Sequence, residues 1–201
     1  MKATDFMVRI LRICRRVAVL LGVTMMLSAV TVAAERDNAA EAVTNLEAYA
    51  EYKMGNYDKA REIWEGLAAK GNTTALINLA NLFQQGQGVS EDQKKGMGFI
   101  EKAAELGDAR AQYELGMAYE KGGAVNRDIE KAASWLKKSA EQNYSGGQFA
   151  YGVMFAAGRG KGIDNATAAD IKEALEWLNK AKARGNREAV DHIKVLEGKA
   201  G

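Results

Sequence analysis

Ser134-Trp135-Leu136-Lys137 is the stretch whose residue types and spacing match a known nucleophile arrangement, the Ser-x-x-Lys pattern of penicillin-recognising enzymes. A serine hydroxyl attacks only when a base takes its proton, and a lysine one helical turn away is placed to assist. The companion Lys-Thr-Gly and Ser-Asp-Asn triplets are absent. Ser134 also falls between Ala132 and Trp135 on a helical pattern that turns it toward water. The match reads as coincidence. His192 is the only histidine in the chain, and a triad or histidine metal site needs partners that one imidazole does not supply. Carboxylates are plentiful but scattered, as solvated helix faces are. No catalytic residue, no metal ligand and no cofactor is assigned.

Two glycine clusters invite a phosphate-loop reading: Gly86-Gln87-Gly88, and Gly158 to Gly162 with Arg159 and Lys161 between the glycines. A phosphate loop follows a strand and opens a helix. No strand pattern precedes either cluster, so both read as turns between helices, with a weak anion contact at Arg159 and Lys161 as the alternative. Asn72-Thr73-Thr74 and Asn165-Ala166-Thr167 match glycosylation sequons and are given no functional weight. Trp64, Trp135 and Trp177 could form a sugar or peptide platform, yet they fall at or beside the apolar face of their segments. Core packing is the expectation for all three.

The elements around these residues follow from composition. The 201 residues include 47% hydrophobic and 27% charged side chains and no proline. Proline breaks helix interiors, so its absence suits a chain that is nearly all helix, punctuated by its 21 glycines. Residues 1–34 are a different material: a basic start (Lys2, Arg9, Arg12, Arg15, Arg16), an apolar run from Val17 to Val32, then Ala33 and Ala34 before Glu35. That order describes a secretory signal peptide cut after Ala34, with an uncleaved membrane anchor as the alternative. Arg15-Arg16 admits a twin-arginine reading, but general secretion is favoured. Without the leader, Lys+Arg falls from 28 to 23 and Asp+Glu from 26 to 25, so the net charge changes from +2 to −2. The basic balance thus belongs to the leader, and no nucleic-acid partner is implied. Cys14, the only cysteine, lies in the leader too, which leaves residues 35–201 without disulfides or thiolate metal sites.

An internal repeat organises the remainder. Asn72 to Asp92, Asp108 to Asp128 and Tyr144 to Asp164 align at an offset of 36 residues. The ladders are Ala75, Ala111 and Gly147; Ala80, Gly116 and Gly152; Phe83, Tyr119 and Phe155; Gly86, Gly122 and Gly158. Apolar residues at i, i+4, i+5 and i+8 line one helical face, and Ala132, Trp135, Leu136, Ser139 and Ala140 do so on the second helix. Asn56, Asp92 and Asp128 suit the N-caps of second helices; Gly71, Gly107, Asn143 and Gly185 suit the left-handed residues that end them. A lone helical hairpin buries little, so neighbours must stack. The predicted fold is all-α: a right-handed superhelical α-solenoid of stacked helical hairpins. Its repeats are approximately 38–71, 72–107, 108–143 and 144–185, the last with six residues inserted near Lys161 to Ala169, and a capping helix spans 186–198.

The stretch AQYELGMAYEKGGAVNRDIEKAASWLKKSA resembles a Sel-one-like repeat, a relative of the tetratricopeptide repeat. The opening AEYKMGNYDKAREIWEGLAAKGN is similar to the first helical pair of bacterial members, and the resemblance runs from Ala48 to Val190. It implies an adaptor: exported bacterial members hold envelope complexes together or restrain a sensor protein. Cysteine-rich relatives bind penicillins, but this chain lacks their cysteine pairs. The expected role is a periplasmic scaffold or regulatory adaptor that binds another protein, touching the membrane only through an uncleaved leader. The rival is a penicillin-binding or peptidoglycan-acting hydrolase; a spacer within a larger assembly is a third reading.

In superhelical repeats the first helices line the concave side. With the core ladders subtracted, three rows are expected there: Asn78, Glu114 and Ala150; Asn81, Met117 and Val153; Gln85, Lys121 and Ala157. They describe a groove that is polar at its N-terminal end and apolar around Met117, Val153 and Ala157. Two readings of the apolar end stand side by side: an open docking patch, or residues that the cap helix 186–198 covers.

Overall fold

Helix boundaries in this chain are set by side-chain caps at one end and left-handed residues at the other. The computed structural model describes residues 37–158 and 163–200, so the leader and the glycine-basic run 159–162 lie outside the described residues. Residues 37–53 are helical (α1), and the compact unit begins at Glu47. The helices that follow are α2 (Tyr57–Ala69), α3 (Thr73–Gln85), α4 (Gln93–Glu105), α5 (Ala109–Lys121), α6 (Ile129–Glu141), α7 (Ser145–Ala156), α8 (Ala168–Ala183) and α9 (Glu188–Ala200). A 3₁₀ turn spans Ile163–Asn165, and no strand occurs among the described residues.

The caps recur with the repeat. Asn72 and Asp108 accept the N–H groups of Ala75 and Ala111 at 3.0 and 2.9 Å; Asp92 and Asp128 accept those of Lys95 and Lys131 at 2.8 and 2.9 Å. Each satisfies a backbone donor that the first turn leaves open. Gly71, Gly107, Asn143 and Gly185 end the second helices at φ of 89°, 96°, 66° and 86°. Asn56 departs from the expectation: its side chain makes no capping bond. Its backbone stands at φ −80°, ψ 60°, outside the extended region of the other caps, and its Nδ2 donates to Glu51 Oε2 at 2.8 Å. The inserted residues become the 3₁₀ turn and an extra first turn of α8, which has 16 residues where α4 and α6 have 13. Thr167 and Asp170 close a reciprocal capping box there, so Asp164 does not take the role of Asp128.

Second helices pack against the first helix of their own pair and against the next one, and α9 lies on α8 and on α7. One buried cluster joins Leu76, Leu79, Leu82, Ile100 and Leu115; another joins Leu136, Tyr151, Met154, Leu178, Ile193 and Leu196, and Tyr119 packs against both. The core is continuous along the stack. Polar stitches tie neighbouring pairs. Gln112 and Gln148, 36 residues apart, donate to the Ala104 and Ala140 carbonyls near the ends of α4 and α6, at 3.2 and 3.3 Å. Ser139 Oγ donates to the Ala109 carbonyl at 2.6 Å. Trp64 and Trp177 are buried and Trp135 is half-buried beneath the Lys138 ammonium, 3.8 Å from its ring centre. This is an α-solenoid of stacked helical hairpins with a C-terminal capping helix.

Candidate functional site: the first-helix face

The cap register extends the series of first helices by one. Asn186 accepts the Ala189 N–H at 3.0 Å, as Asn72 does with Ala75 and Asp108 with Ala111. Helix α9 therefore stands as a further first helix, with Ala189, Ile193 and Leu196 buried where α7 buries Gly147, Tyr151 and Met154. In that register Lys194 replaces the small residue of Ala80, Gly116 and Gly152, and Glu197 replaces the aromatic of Phe83, Tyr119 and Phe155. Both are exposed. The side of α9 that would receive a second helix is thus polar, which is why α9 caps the stack instead of opening another hairpin.

The expected rows fall on the first helices as follows. Asn78, Glu114 and Ala150 are half-buried, as are Asn81, Met117 and Val153; Gln85 and Lys121 are exposed, and Ala157 is half-buried just past α7. Glu114 accepts from Arg110 Nε at 2.8 Å, and that hydrogen bond holds the guanidinium above its ordinary pKa. Met117, Ala150 and Val153 pack against the C-terminal core cluster, so the apolar end of the face is continuous with the interior. The cap helix does not simply cover this end. His192 meets the Phe149 ring edge to face, with centroids 5.2 Å apart, and its Nδ1 lies 3.1 Å from the Glu188 carbonyl oxygen. Val153 and Ala157 keep partial exposure.

Several residues of this face are not singled out by sequence. Ile77, Tyr113 and Phe149 form a further row beside the first; burial pushes the Tyr113 hydroxyl above its ordinary pKa, next to the Tyr144 ring at 5.6 Å. On α9, Val195 continues the row of Asn81, Met117 and Val153, and His192 the row of Asn78, Glu114 and Ala150. A signal for this register exists at Ala189, which takes the place of Gly147, but at an offset of 42 residues instead of 36, since the insertion falls between. Between α7 and α9 lies a groove of about 320 Å³ lined by Ala156, Asp191, His192, Val195 and Leu196.

A second hollow, of about 370 Å³, lies on α6 and α7 and is lined by Glu130, Ser134, Lys137, Tyr151 and Phe155 among others. It brings Ser134 and Lys137 to one wall. Ser134 is exposed, and the solvated Lys137 ammonium stands 4.0 Å from Glu141. An activated lysine nucleophile or base is desolvated instead. Gly86-Gln87-Gly88 is a turn between helices: Gly86 ends α3 at φ 64°, and Gln87 Oε1 accepts from the Tyr52 hydroxyl at 2.7 Å. Among the described residues no group of three or more His, Asp or Glu side chains is placed to hold a metal ion, and no helix is long and apolar enough to cross a membrane.

These features define a superhelical repeat protein whose first helices carry an open face. The Sel1 repeat model matches residues 73–108, 109–144 and 145–186, more than half of the chain, which therefore belongs to the Sel1 repeat family. Proteins of this family generally act as non-catalytic scaffolds for protein–protein interaction. The chain is similar to a Sel1 repeat protein from Oxalobacter formigenes (29% identity, TM-score 0.65), with 75% of this chain and 60% of that one covered. It is also similar to a protective antigen of uropathogenic Escherichia coli with an SLR fold (26% identity, TM-score 0.66), with 79% and 34% covered. The chain thus spans less than two thirds of the length of either protein. No curated protein matches.

Proposed function

We propose that this chain is an exported adaptor that binds another protein through its first-helix face and catalyses no reaction. The observation that carries the reading is the row Met117, Val153 and Val195: apolar side chains that stay open to solvent on three successive first helices, with Val195 55% exposed. Repeat faces of this kind recognise partners through surface chemistry spread over several units. The basic-apolar leader of residues 1–34 supports a periplasmic location, with the partner an envelope protein or the extracytoplasmic domain of a sensor. Cell fractionation and N-terminal sequencing test the export step: a periplasmic protein that begins at Glu35 is expected, and a cytoplasmic one with Met1 retained would refute it.

A photo-crosslinker at Met117 or Val153 in the native envelope tests the face itself. One dominant captured protein is expected, and Val153→Glu is expected to abolish capture with helicity unchanged. Capture that survives Val153→Glu would move the interaction to another surface. The rival hydrolase reading rests on Ser134 and Lys137 sharing one hollow. A fluorescent penicillin that labels the wild type but not Ser134→Ala would favour it.

A further inference from the structure

The first and last helices of the stack are finished differently. Helix α9 exposes Lys194 and Glu197, the polar outer face that a terminal repeat needs to stay soluble. Helix α1 does the opposite. Six large hydrophobic side chains are exposed among the described residues, and four of them, Val43, Leu46, Tyr49 and Met54, lie on α1 or in the turn after it. Counted back from the left-handed glycines Gly55 and Gly86, Leu46 holds on α1 the place that Ile77 holds on α3. Ile77 is buried there, whereas Leu46 is 68% exposed.

Apolar residues occupy two opposite sides of α1. Ala48 is fully buried, and Tyr52 packs against the first core cluster. With about 3.6 residues per turn, Leu46 and Ala50 stand on the reverse of Ala48, in one row with Ala39, Val43 and Lys53. Every member of that row is exposed. Its steps are four, three, four and three residues, the spacing by which one helix seats another in a coiled-coil seam. An extended peptide has no use for that period. Small residues at Ala39 and Ala50 let two backbones approach, and Val43 and Leu46 fill the middle.

The row is matched by its own reverse. Antiparallel pairing sets Val43 and Leu46 of one copy against Leu46 and Val43 of the other, with Ala39 and Ala50 opposed on either side. The single charge in the row is Lys53, which lies 5.2 Å from the Tyr49 ring centre and has no carboxylate partner among the described residues. Parallel pairing would stack Lys53 on Lys53, and like charges so placed repel. Antiparallel pairing carries it to the first turn of the other helix, where Asp37 is exposed.

We infer that α1 pairs antiparallel with α1 of a second copy, which makes the chain a two-fold dimer joined through its first helix. Such a contact is isologous and closes on itself, so no apolar seam is left for further growth. The inference does not rest on the adaptor reading, and it puts two first-helix faces on one particle. The seam is short, which places the interface at the small end of the range and its dissociation constant at roughly micromolar.

Analytical ultracentrifugation of the chain as recovered from expressing cells, at about 1–200 µM, is expected to show a monomer–dimer equilibrium. Leu46→Glu, at an exposed position, is expected to weaken the dimer about tenfold or more with circular dichroism unchanged. Val195→Glu is expected to leave the equilibrium as it is. Residues 35–201 contain no cysteine, so disulfide trapping reads the orientation in a Cys14→Ser background. Ala39→Cys and Ala50→Cys proteins are expected to form a crosslinked dimer when mixed and oxidised. Neither is expected to crosslink to itself, because identical positions then lie about 16 Å apart along the axis, beyond disulfide reach. A monomer across the whole range would overturn the proposal and leave the apolar side of α1 to a different protein. A dimer that survives Leu46→Glu, or Ala39→Cys protein that crosslinks to itself, would overturn it as well.

Discussion

A β-carbon added to Gly116 would stand 2.7 Å from Leu136 Cγ and 3.1 Å from the Leu136 backbone nitrogen, so α5 and α6 cross where only glycine fits. Gly152 holds the same relation to Leu178, at 2.9 Å. The hairpin α3/α4 solves the crossing the other way round: Ala80 is on the first helix and glycine moves to the second, where a β-carbon on Gly96 would meet the Ala80 carbonyl oxygen at 3.0 Å. Each of these pairs therefore places one glycine at its crossing, on either helix.

The expected consequence is reciprocal. In a helix interior glycine to alanine ordinarily gains about 1 kcal/mol, but Gly116→Ala forces overpacking and is expected to cost about 1–3 kcal/mol net. Adding Ala132→Gly, which imports the arrangement of Ala80 and Gly96, is expected to recover part of the loss. Urea unfolding of the two single variants and the double variant measures the coupling. Strict additivity would show that the two positions do not share the crossing.

Acid is expected to loosen the start of the compact unit first. The Glu51 side chain is largely buried and accepts hydrogen bonds from Lys59 and Asn56, and the Lys59 bond above all holds its carboxyl below the ordinary range. A carboxylate with a depressed folded pKa contributes stability that is present above its unfolded pKa, about 4.3 for glutamate, and is lost as pH falls through the folded value. The same contact raises Lys59, whose contribution is present below its unfolded pKa, about 10.4, and is lost as pH rises through the folded one. Glu51→Gln is expected to flatten both limbs of the stability profile relative to wild type. Thermal melts from pH 3 to 11 check this, and an unchanged acid limb would exclude Glu51 as its source.

The cap helix is expected to hinge on Asn186. Its side chain supplies the bond to Ala189 that begins α9, and a lost N-cap costs about 0.5–2 kcal/mol. Because α9 is terminal in the stack, Asn186→Ala is expected to raise amide exchange at Ile193 and Leu196 while α3 to α6 keep wild-type protection. Faster exchange throughout would mean that α9 and the inner pairs unfold together.

Most of the fold is legible in the sequence because three copies in register separate signal from accident. The 36-residue ladder alone locates the glycine turns, the caps at Asp92 and Asp128 and the left-handed Asn143. Asn56 passes for a cap in that pattern because its backbone conformation and its bond to Glu51, on another helix, leave no periodic trace. The face is less legible than the core. Row positions such as Met117 and Val153 follow from subtraction of buried ladders, but their exposure depends on how the neighbouring helices pack, which is a matter of packing angle and not of pattern. The six inserted residues also displace α9 from the register that would reveal Val195 as a member of the same row.

Gln112 and Gln148 occupy equivalent positions yet are expected to respond oppositely to mutation. Both donate to the end of the preceding second helix, but Gln112 Oε1 also accepts from Gln142 Nε2 at 2.8 Å, whereas Gln148 Oε1 is buried without a hydrogen-bond partner among the described residues. A buried acceptor left unsatisfied costs about 1–3 kcal/mol. The repeat at 72–107 places Leu76 at this position, fully buried, so the site tolerates an aliphatic side chain of similar size. The carbonyl that Gln148 serves, Ala140 O, keeps a second donor in the Asn143 N–H at 2.9 Å. Gln148→Leu is therefore expected to stabilise the protein by about 1 kcal/mol, because it removes an unpaired polar atom at little loss. Gln112→Leu is expected to destabilise it, because it removes two satisfied bonds, although Gln142 Nε2 keeps its bond to the Gly107 carbonyl at 2.8 Å. Chemical denaturation of the two variants under one set of conditions decides the matter: shifts of the same sign would mean that the missing partner of Gln148 is not what distinguishes the two positions.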